Sequence, residues 1–158
     1  MSTTADTLPA NSLSIRRVTN GDADAVFELL QQLALGYASD RAAFNTTFAE
    51  LVASNGPSDD RFASFIVAED ADGRVRGYAL TTVNPLLHTA GSSAQLEELV
   101  VDADSRGQGI GTRLVESVEQ ICRERNVKQL IVATRRDADF YARLGYRSTA
   151  DLLKRTFD

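Results

Sequence analysis

An α/β (α+β) fold with one mixed sheet, in the order β-α-α-β-β-β-α-β-α-β, is the class this sequence predicts. Three observations carry the prediction. Short apolar or alternating runs lie at 14–18, 62–68, 75–83, 94–101 and 128–133. Stretches with apolar residues at helical spacing lie between several of them. The connections mix tight turns, which build a meander, with strand–helix–strand crossovers, which place strands in parallel. A mixed sheet with helices on both faces satisfies all three.

The elements follow in order. Ser14-Ile15-Arg16-Arg17-Val18 alternates and reads as a strand. Thr19-Asn20-Gly21-Asp22 breaks it, and Asp22 is a helix-capping residue type. Val26, Leu29, Leu30 and Leu33 then mark a helix ending near Gly36. Phe44, Phe48, Leu51 and Val52 mark a second helix over 40–54, and the polar residues 55–60 mark a loop. Strands at 62–68 and 75–83 flank the turn Asp70-Ala71-Asp72-Gly73. Residues 84–93 read as a polar, irregular loop, followed by a strand at 94–101. Leu114, Val115, Val118, Ile121 and Cys122 form one apolar stripe on a long helix over 109–125. Residues 128–133 read as a buried strand. Asp137 starts a short helix that Gly145 stops, and the loose alternation over 146–157 predicts one or two closing strands.

The length of 158 residues suits one domain with a real core. Residues 13–158 are expected to form it, after a short disordered lead-in at 1–12 rich in Ser, Thr, Asp, Pro and Asn. That lead-in has neither a basic nor an apolar region, so it does not resemble a secretory signal. No apolar run approaches the ~20 residues of a membrane span. One cysteine, Cys122, forbids an intrachain disulfide, and with a single histidine no metal site built by the protein is expected. A cytoplasmic protein follows. A net charge of −5 argues against nucleic acid as the partner, which needs a dense basic face.

The chemistry concentrates between the strand at 94–101 and the long helix. Leu96-Glu97-Glu98-Leu99-Val100-Val101 leads into Asp102-Ala103-Asp104-Ser105 and then Arg106-Gly107-Gln108-Gly109-Ile110-Gly111-Thr112. Glycines let a backbone turn sharply and approach a ligand. Free N–H groups at a helix start, with the positive end of its dipole, bind anions. A diphosphate suits such a loop, with Arg106 and Thr112 adding side-chain contacts. The spacing is neither the dinucleotide fingerprint nor the nucleotide P-loop.

Arg106-Gly107-Gln108-Gly109-Ile110-Gly111 resembles the Arg/Gln-x-x-Gly-x-Gly/Ala motif of the GNAT N-acetyltransferase superfamily. The approach Leu96 to Asp102 is similar to that family's fourth strand, and Phe140-Tyr141-Ala142-Arg143-Leu144-Gly145-Tyr146 to its Phe-Tyr-x-x-x-Gly-Phe/Tyr segment. The resemblance covers about residues 13–157, strongly over 94–146. It implies a GNAT-like single-domain sandwich with acetyl-CoA as cosubstrate. The pyrophosphate would rest on residues 106–112. The pantetheine arm would pair with backbone at Leu99, Val100 and Val101, and Tyr141 would stand beside the sulfur. By pattern alone Phe140 and Tyr141 are equally core aromatics.

One departure stands out. The run Thr134-Arg135-Arg136-Asp137-Ala138-Asp139 is shorter than the family's usual one, which commonly carries an Asn and an Ala before the Tyr. The helix before Tyr141 is therefore expected to be clipped to about one turn.

The implied reaction is direct attack of an amine on the thioester. It needs a held cosubstrate, an acceptor that loses its proton, and a protonated leaving thiolate. Glu97 and Glu98 are the candidate bases. Adjacent strand residues face opposite ways, so one of the two is expected in the cleft, Glu97 slightly favoured by resemblance to polyamine-type members. Tyr141 is the candidate general acid. His88 reads as an exposed loop residue, Cys122 as core, and Arg135-Arg136 as a solvated face rather than a contact to the CoA 3′-phosphate. The tail and Leu29-Leu30-Gln31-Gln32-Leu33 resemble small-molecule members, including aminoalkylphosphonate types, so a small-molecule primary amine is the expected partner. A protein N-terminal or lysine acetyltransferase and a non-catalytic acyl-CoA sensor are the alternatives. Architecture of this kind is often homodimeric.

Overall fold

The computed structural model describes residues 12–33, 40–55 and 63–157. The expected lead-in, apart from Ser12, therefore lies outside the described residues. So do the expected end of the first helix near Gly36, and most of the 55–60 loop with Asp59 and Asp60. The elements are β1 (Ser14–Arg17), α1 (Ala23–Leu30), α2 (Arg41–Ser54), β2 (Ala63–Glu69), β3 (Val75–Leu86), β4 (Gly91–Val101), α3 (Ile110–Glu124), β5 (Gln129–Val132) and α4 (Ala138–Arg143). Short 3-10 turns at Asn20–Asp22, Gln31–Leu33 and Ala103–Ser105 punctuate them.

The five strands form one sheet in chain order. β1 to β4 are antiparallel neighbours, as the tight turns require. α3 carries the chain over the sheet, so β5 joins β4 in parallel. Side chains alternate across the pleat, and each face has its own core. On one face Ile66, Ala68, Ala79, Val83, Ala94 and Leu96 pack with Ile110, Leu114, Val115, Val118 and Cys122 of α3. That is the predicted helix stripe. On the other face Phe65, Val67, Tyr78, Leu80 and Val100 pack with Val26 and Leu29 of α1 and Phe48 of α2. A chain of ring contacts, Phe27–Phe44–Phe48–Phe65–Tyr78, ties both helices to the sheet.

Local chemistry fixes the ends. Asp40 caps α2 by accepting from the N–H groups of Ala42 and Ala43 at 2.9 and 3.1 Å. Asp22 does not cap α1 with its side chain. Its buried carboxylate turns back to accept from the Thr19 N–H at 2.8 Å and to pair with Arg16 of β1 at 2.8 Å. The Arg16 guanidinium holds the Asp22 carboxyl below the usual carboxylate range, against the opposing effect of burial. The polypeptide is therefore pinned where β1 hands over to α1.

Three expectations are corrected. The loop foreseen over 84–93 is mostly strand: Asn84↔Ser93, Pro85↔Ser92 and Leu86↔Gly91 extend the hairpin to a turn at 87–90. Polar composition marked solvent exposure there, not loss of pairing. The strand foreseen as buried over 128–133 is the sheet edge, with Ile131 44% exposed. The closing strands foreseen over 146–157 are absent, and residues 147–157 carry no regular structure and are all exposed.

Gly77 shows how closely β3 and α3 are packed. A Cβ there would sit 2.8 Å from the Val100 carbonyl oxygen and 3.2 Å from the Leu114 Cδ1. The first neighbour is backbone and has little room to move. Gly77→Ala should therefore cost about 1–3 kcal/mol, as overpacking does. A lowered midpoint in chemical denaturation with an unchanged slope is the expected reading.

Candidate active site

The parallel ladder between β4 and β5 runs from Ser93↔Gln129 to Leu96↔Val132 and stops. β4 continues to Val101 while the chain after β5 turns away into α4. The two strands separate, and a cleft of about 950 Å³ opens between them. Its walls come from β4, the loop before α3, residues 132–137, α4 and the tail. The β4 backbone from Glu97 to Val101 has β3 on one side and this cleft on the other. Val100 is buried in one core, and Leu99 and Val101 pack against the other. Those three residues thus offer the cleft backbone groups rather than side chains.

At one end of the cleft lies the start of α3. Gly107 and Gly109 both adopt φ +79°, a left-handed conformation suited to glycine, and a Cβ on either would project into open space. Gly109 is the residue before the helix and supplies no side-chain cap. The first bonded amide is that of Arg113, to the Gly109 carbonyl at 3.1 Å. The N–H groups of Ile110, Gly111 and Thr112 donate to no protein acceptor among the described residues, so they remain available to an anion. Gly111 is helical, and a Cβ there would meet the Phe140 ring at 3.5 Å, an ordinary contact. Ile110 is core. Arg106, Gly107 and Thr112 line the cleft, whereas Gln108 is exposed outside it.

One acidic neighbour of this loop, Asp102, is held elsewhere. Asp102 pairs with Arg76 at 3.4 Å and accepts from Gln32 at the same distance. Arg76 in turn grips buried Asp70 at 2.6 Å. Burial pushes the Asp70 carboxyl up, but Arg76 and two backbone N–H groups prevail and hold it low. The Asp102 carboxylate therefore does not oppose an anion at the α3 start.

β4 carries both candidate bases, and here strand alternation breaks. Leu80 pairs with Glu98 but Thr81 pairs with Leu96, so Glu97 is the extra residue of a bulge. The bulge puts Glu97 and Glu98 on the same face, the one covered by α1 and α2. The Glu97 carboxylate accepts from the Thr82 hydroxyl at 2.7 Å, and the Glu98 carboxylate from the Tyr78 hydroxyl at 2.8 Å. Both line the cleft. This corrects the expectation that only one would face it: a bulge is not legible in an alternation pattern. Burial pushes the Glu98 carboxyl up; the Tyr78 hydrogen bond opposes that, and the Glu97 charge adds to it.

Tyr141 approaches from the other side. α4 has one turn before it, as the shortened run predicts, and the Tyr141 N–H bonds the Asp137 carbonyl at 3.2 Å. Asp137 begins the helix without a side-chain cap. The Tyr141 ring packs edge-on to Phe140 and Tyr146, with centroids 4.9 and 5.7 Å away. Tyr141 is buried yet lines the cleft, and its hydroxyl has no hydrogen-bond partner among the described residues. Burial, helped by the Asp137 charge, pushes that hydroxyl up to about 12.

Several cleft residues were not foreseen. Arg135 and Arg136 are exposed, as expected, and also border the cleft, where Arg143 and Lys154 join them and Arg106. The cleft is thus rich in cations although the chain is acidic. Gln32 adds a structural link, accepting from the Ala103 N–H at 2.9 Å. Net charge hides this arrangement, because it sums over positions. His88 is exposed in the 87–90 turn and away from the cleft, and Cys122 is buried against the sheet, both as expected. No helix among the described residues is long and apolar enough to cross a membrane, and no metal-binding group of side chains occurs among them.

Comparison with known proteins bears on this geometry. A model described as the acetyltransferase (GNAT) family matches residues 25–146. Glucosamine 6-phosphate N-acetyltransferase 1 of Oryza sativa subsp. japonica is 32% identical over 121 residues, 75% of this chain and 70% of the rice protein. YxbD of Bacillus subtilis (strain 168) is 42% identical over 55 residues, 32% of this chain and only 35% of that protein. The crystal structure of glucosamine-6-phosphate N-acetyltransferase from Arabidopsis thaliana superimposes with a TM-score of 0.78 at 22% identity. It covers 93% of this chain and 99% of the plant chain.

The carboxylate pair can be titrated by carbon NMR. Tyr78→Phe removes a hydrogen bond that favours the ionised form, so the Glu98 carboxyl should titrate at higher pH. Glu97→Gln removes a like charge, so Glu98 should titrate at lower pH. Shifts of opposite sign in the two variants are the expected outcome.

Proposed function

This chain belongs to the GNAT family of acetyltransferases, and we propose that it moves an acetyl group from acetyl-CoA to a primary amine of a small molecule. One observation carries the reading. The free N–H groups at the start of α3 open into the same cleft that Glu97, Glu98 and Tyr141 line. A diphosphate fits the first feature, and the cations Arg106, Arg135, Arg136, Arg143 and Lys154 suit a polyanionic cosubstrate. The pantetheine arm lies along the open edge of β4 at Leu99 to Val101, as a peptide adds to a sheet edge.

The steps follow from the residues. Glu98, or Glu97 beside it, takes a proton from the acceptor ammonium, directly or through water. The neutral nitrogen attacks the thioester carbonyl carbon and a C–N bond forms. A backbone N–H near Val101 polarises the carbonyl oxygen. The C–S bond breaks and the thiolate takes the Tyr141 proton, while the remaining extra proton on the new C–N nitrogen is lost through water and restores the Tyr141 hydroxyl, leaving a neutral amide. A hydroxyl at about 12 is still protonated across the neutral range, as a donor must be. Glu98 is the better base of the two on its environment, because a raised carboxyl accepts a proton nearer neutrality. The name of the rice relative is that of an enzyme acting on an amino sugar, which supports a small-molecule acceptor. A lone, buried thiol supports a cytoplasmic setting.

Release of free thiol from acetyl-CoA is the test, run over polyamines, aminophosphonates, amino acids, peptides and amino sugars including glucosamine 6-phosphate. Turnover with at least one small amine is expected; binding of acetyl-CoA with no thiol released overturns the proposal. Tyr141→Phe keeps the ring and removes the hydroxyl. Turnover should fall about 10²–10⁴-fold with the Kd for acetyl-CoA nearly unchanged. Near-normal turnover, with chemistry shown to be rate-limiting, would leave Tyr141 as packing alone. Gly109→Val forces a side chain into a left-handed position, and its binding of CoA by calorimetry should be lost while the circular dichroism spectrum is retained.

A further inference from the structure

A proton donor has to be aimed, and the start of α4 does little to aim Tyr141. The helix has six residues, Asp137 leaves its N-terminus without a side-chain cap, and one turn precedes Tyr141. So short a helix has little stability of its own in water, and packing must hold it. The hold is at the other end. Gly145 adopts φ +95°. Its N–H donates to the Ala142 carbonyl at 3.0 Å, and the Tyr146 N–H donates to the Tyr141 carbonyl at 3.0 Å. That crossed pair of bonds is a Schellman ending, which an apolar contact between the residue past the glycine and the helix completes. Here the contact is Tyr146 edge-on to Tyr141 itself, with centroids 5.7 Å apart.

Tyr146 is held in turn by α3. Its half-buried ring ends in a hydroxyl that donates to Oε2 of Glu119 at 3.2 Å. The other oxygen of that carboxylate, Oε1, accepts from Arg123 one turn on, also at 3.2 Å. The acceptor is therefore fixed through both oxygens. Burial, and after it the Glu119 charge, push the Tyr146 hydroxyl up, which keeps it protonated and donating. α3 packs into the sheet core through Val115, Val118 and Cys122, which flank Glu119 in sequence. Neither Tyr146 nor Glu119 lines the cleft. Tyr146 touches the residue that does.

We propose that Tyr146 and Glu119 are positioning residues: the hydrogen bond between them ties the end of α4 to α3 and so holds the Tyr141 hydroxyl at the leaving sulfur. The inference rests on the acetyl-transfer reading, in which Tyr141 is the general acid. It explains how a helix clipped to one turn before Tyr141 presents that residue in a fixed orientation. If Tyr146 were only a core aromatic, its whole effect would lie in the ring and none in the hydroxyl. A reacting group displaced by about 1 Å costs up to about 10²-fold in rate. Cosubstrate binding is left untouched, because the groups proposed for it lie on β4 and at the start of α3.

Tyr146→Phe keeps the ring and the helix ending and removes only the hydroxyl. Thiol release from acetyl-CoA should fall about 10–10²-fold, with the Kd for acetyl-CoA by calorimetry nearly unchanged. Glu119→Ala should reproduce that fall. Glu119→Gln, which keeps an acceptor oxygen, should retain most of the rate. Added to Tyr141→Phe, Tyr146→Phe should cost nothing further, because it acts through a hydroxyl already removed. An equal further loss in that background overturns the proposal, and so does wild-type turnover in Tyr146→Phe with chemistry shown to limit the rate. Carbon and proton NMR of labelled tyrosine rings reads the orientation without any turnover. The Tyr141 ring signals should move in Glu119→Ala, where the ring next to Tyr141 is intact, and stay in place in Glu119→Gln. Signals unmoved in Glu119→Ala overturn the positioning role. Should the wild-type protein release no thiol with any amine, the acetyl-transfer reading fails, and the NMR comparison still decides whether this bond orients Tyr141.

Discussion

The parallel pairing of β4 with β5 ends at Leu96 and Val132, and the rest of the site depends on where it ends. Had the ladder continued to Val101, the backbone of residues 97–101 would be saturated on both sides. There would be no cleft and no free edge. The bulge at Glu97 coincides with the ending: β4 loses its parallel partner after Leu96 and gains an extra residue at the next position. A bulge increases local twist and bends a strand, which turns the remainder of β4 away from β5. One irregularity thus accompanies the opening of the cleft and moves a second carboxylate onto the α1 and α2 face.

The two cores hold that irregularity in place. Val100 on one face and Leu99 and Val101 on the other are anchored by packing, so the β4 backbone beyond the bulge is rigid although one edge is unpaired. α3 is fixed against β3 at Gly77, where there is no space for even a methyl group. Its N-terminus is therefore held at a set distance from the β4 edge. The Asp70–Arg76–Asp102 chain completes the arrangement by engaging the Asp102 carboxylate away from the loop before α3. Positioning of this kind, by packing and by buried ion pairs, needs no contribution from the loop's own side chains.

Much of this was legible in the sequence because it depends on local pattern. The α3 stripe, the glycines at 107 and 109, the Asp40 cap and the clipped helix before Tyr141 are all short-range features. What escaped depends on pairs distant in sequence. The bulge exists only in the register between β3 and β4, so Glu97 and Glu98 were read as facing apart. Arg135 and Arg136 are solvent-facing as their composition implies, but that they also border a cleft depends on β5 and α4 folding beside β4. The tail was read as strand because alternation is the signal for a strand, and alternation is present. Among the described residues no strand pairs with it, and alternation alone does not supply a neighbouring strand.

Charge is sorted across the split in a way that bears on the order of encounter. On the α3 and α4 side the cleft carries Arg106, Arg135, Arg136 and Arg143, with Lys154 from the tail. On the α1 and α2 side it carries Glu97 and Glu98, and neither is ion-paired among the described residues. A polyanion is attracted to the first set and repelled by the second, and an ammonium ion experiences the reverse. The two proposed substrates would then approach from opposite faces of the sheet and meet at β4, where the backbone passes between them. Swapping their positions would set the diphosphate against two carboxylates and the ammonium against a cluster of arginines. The electrostatics therefore give the site a polarity that the glycine loop alone, which recognises anions of any kind, does not have.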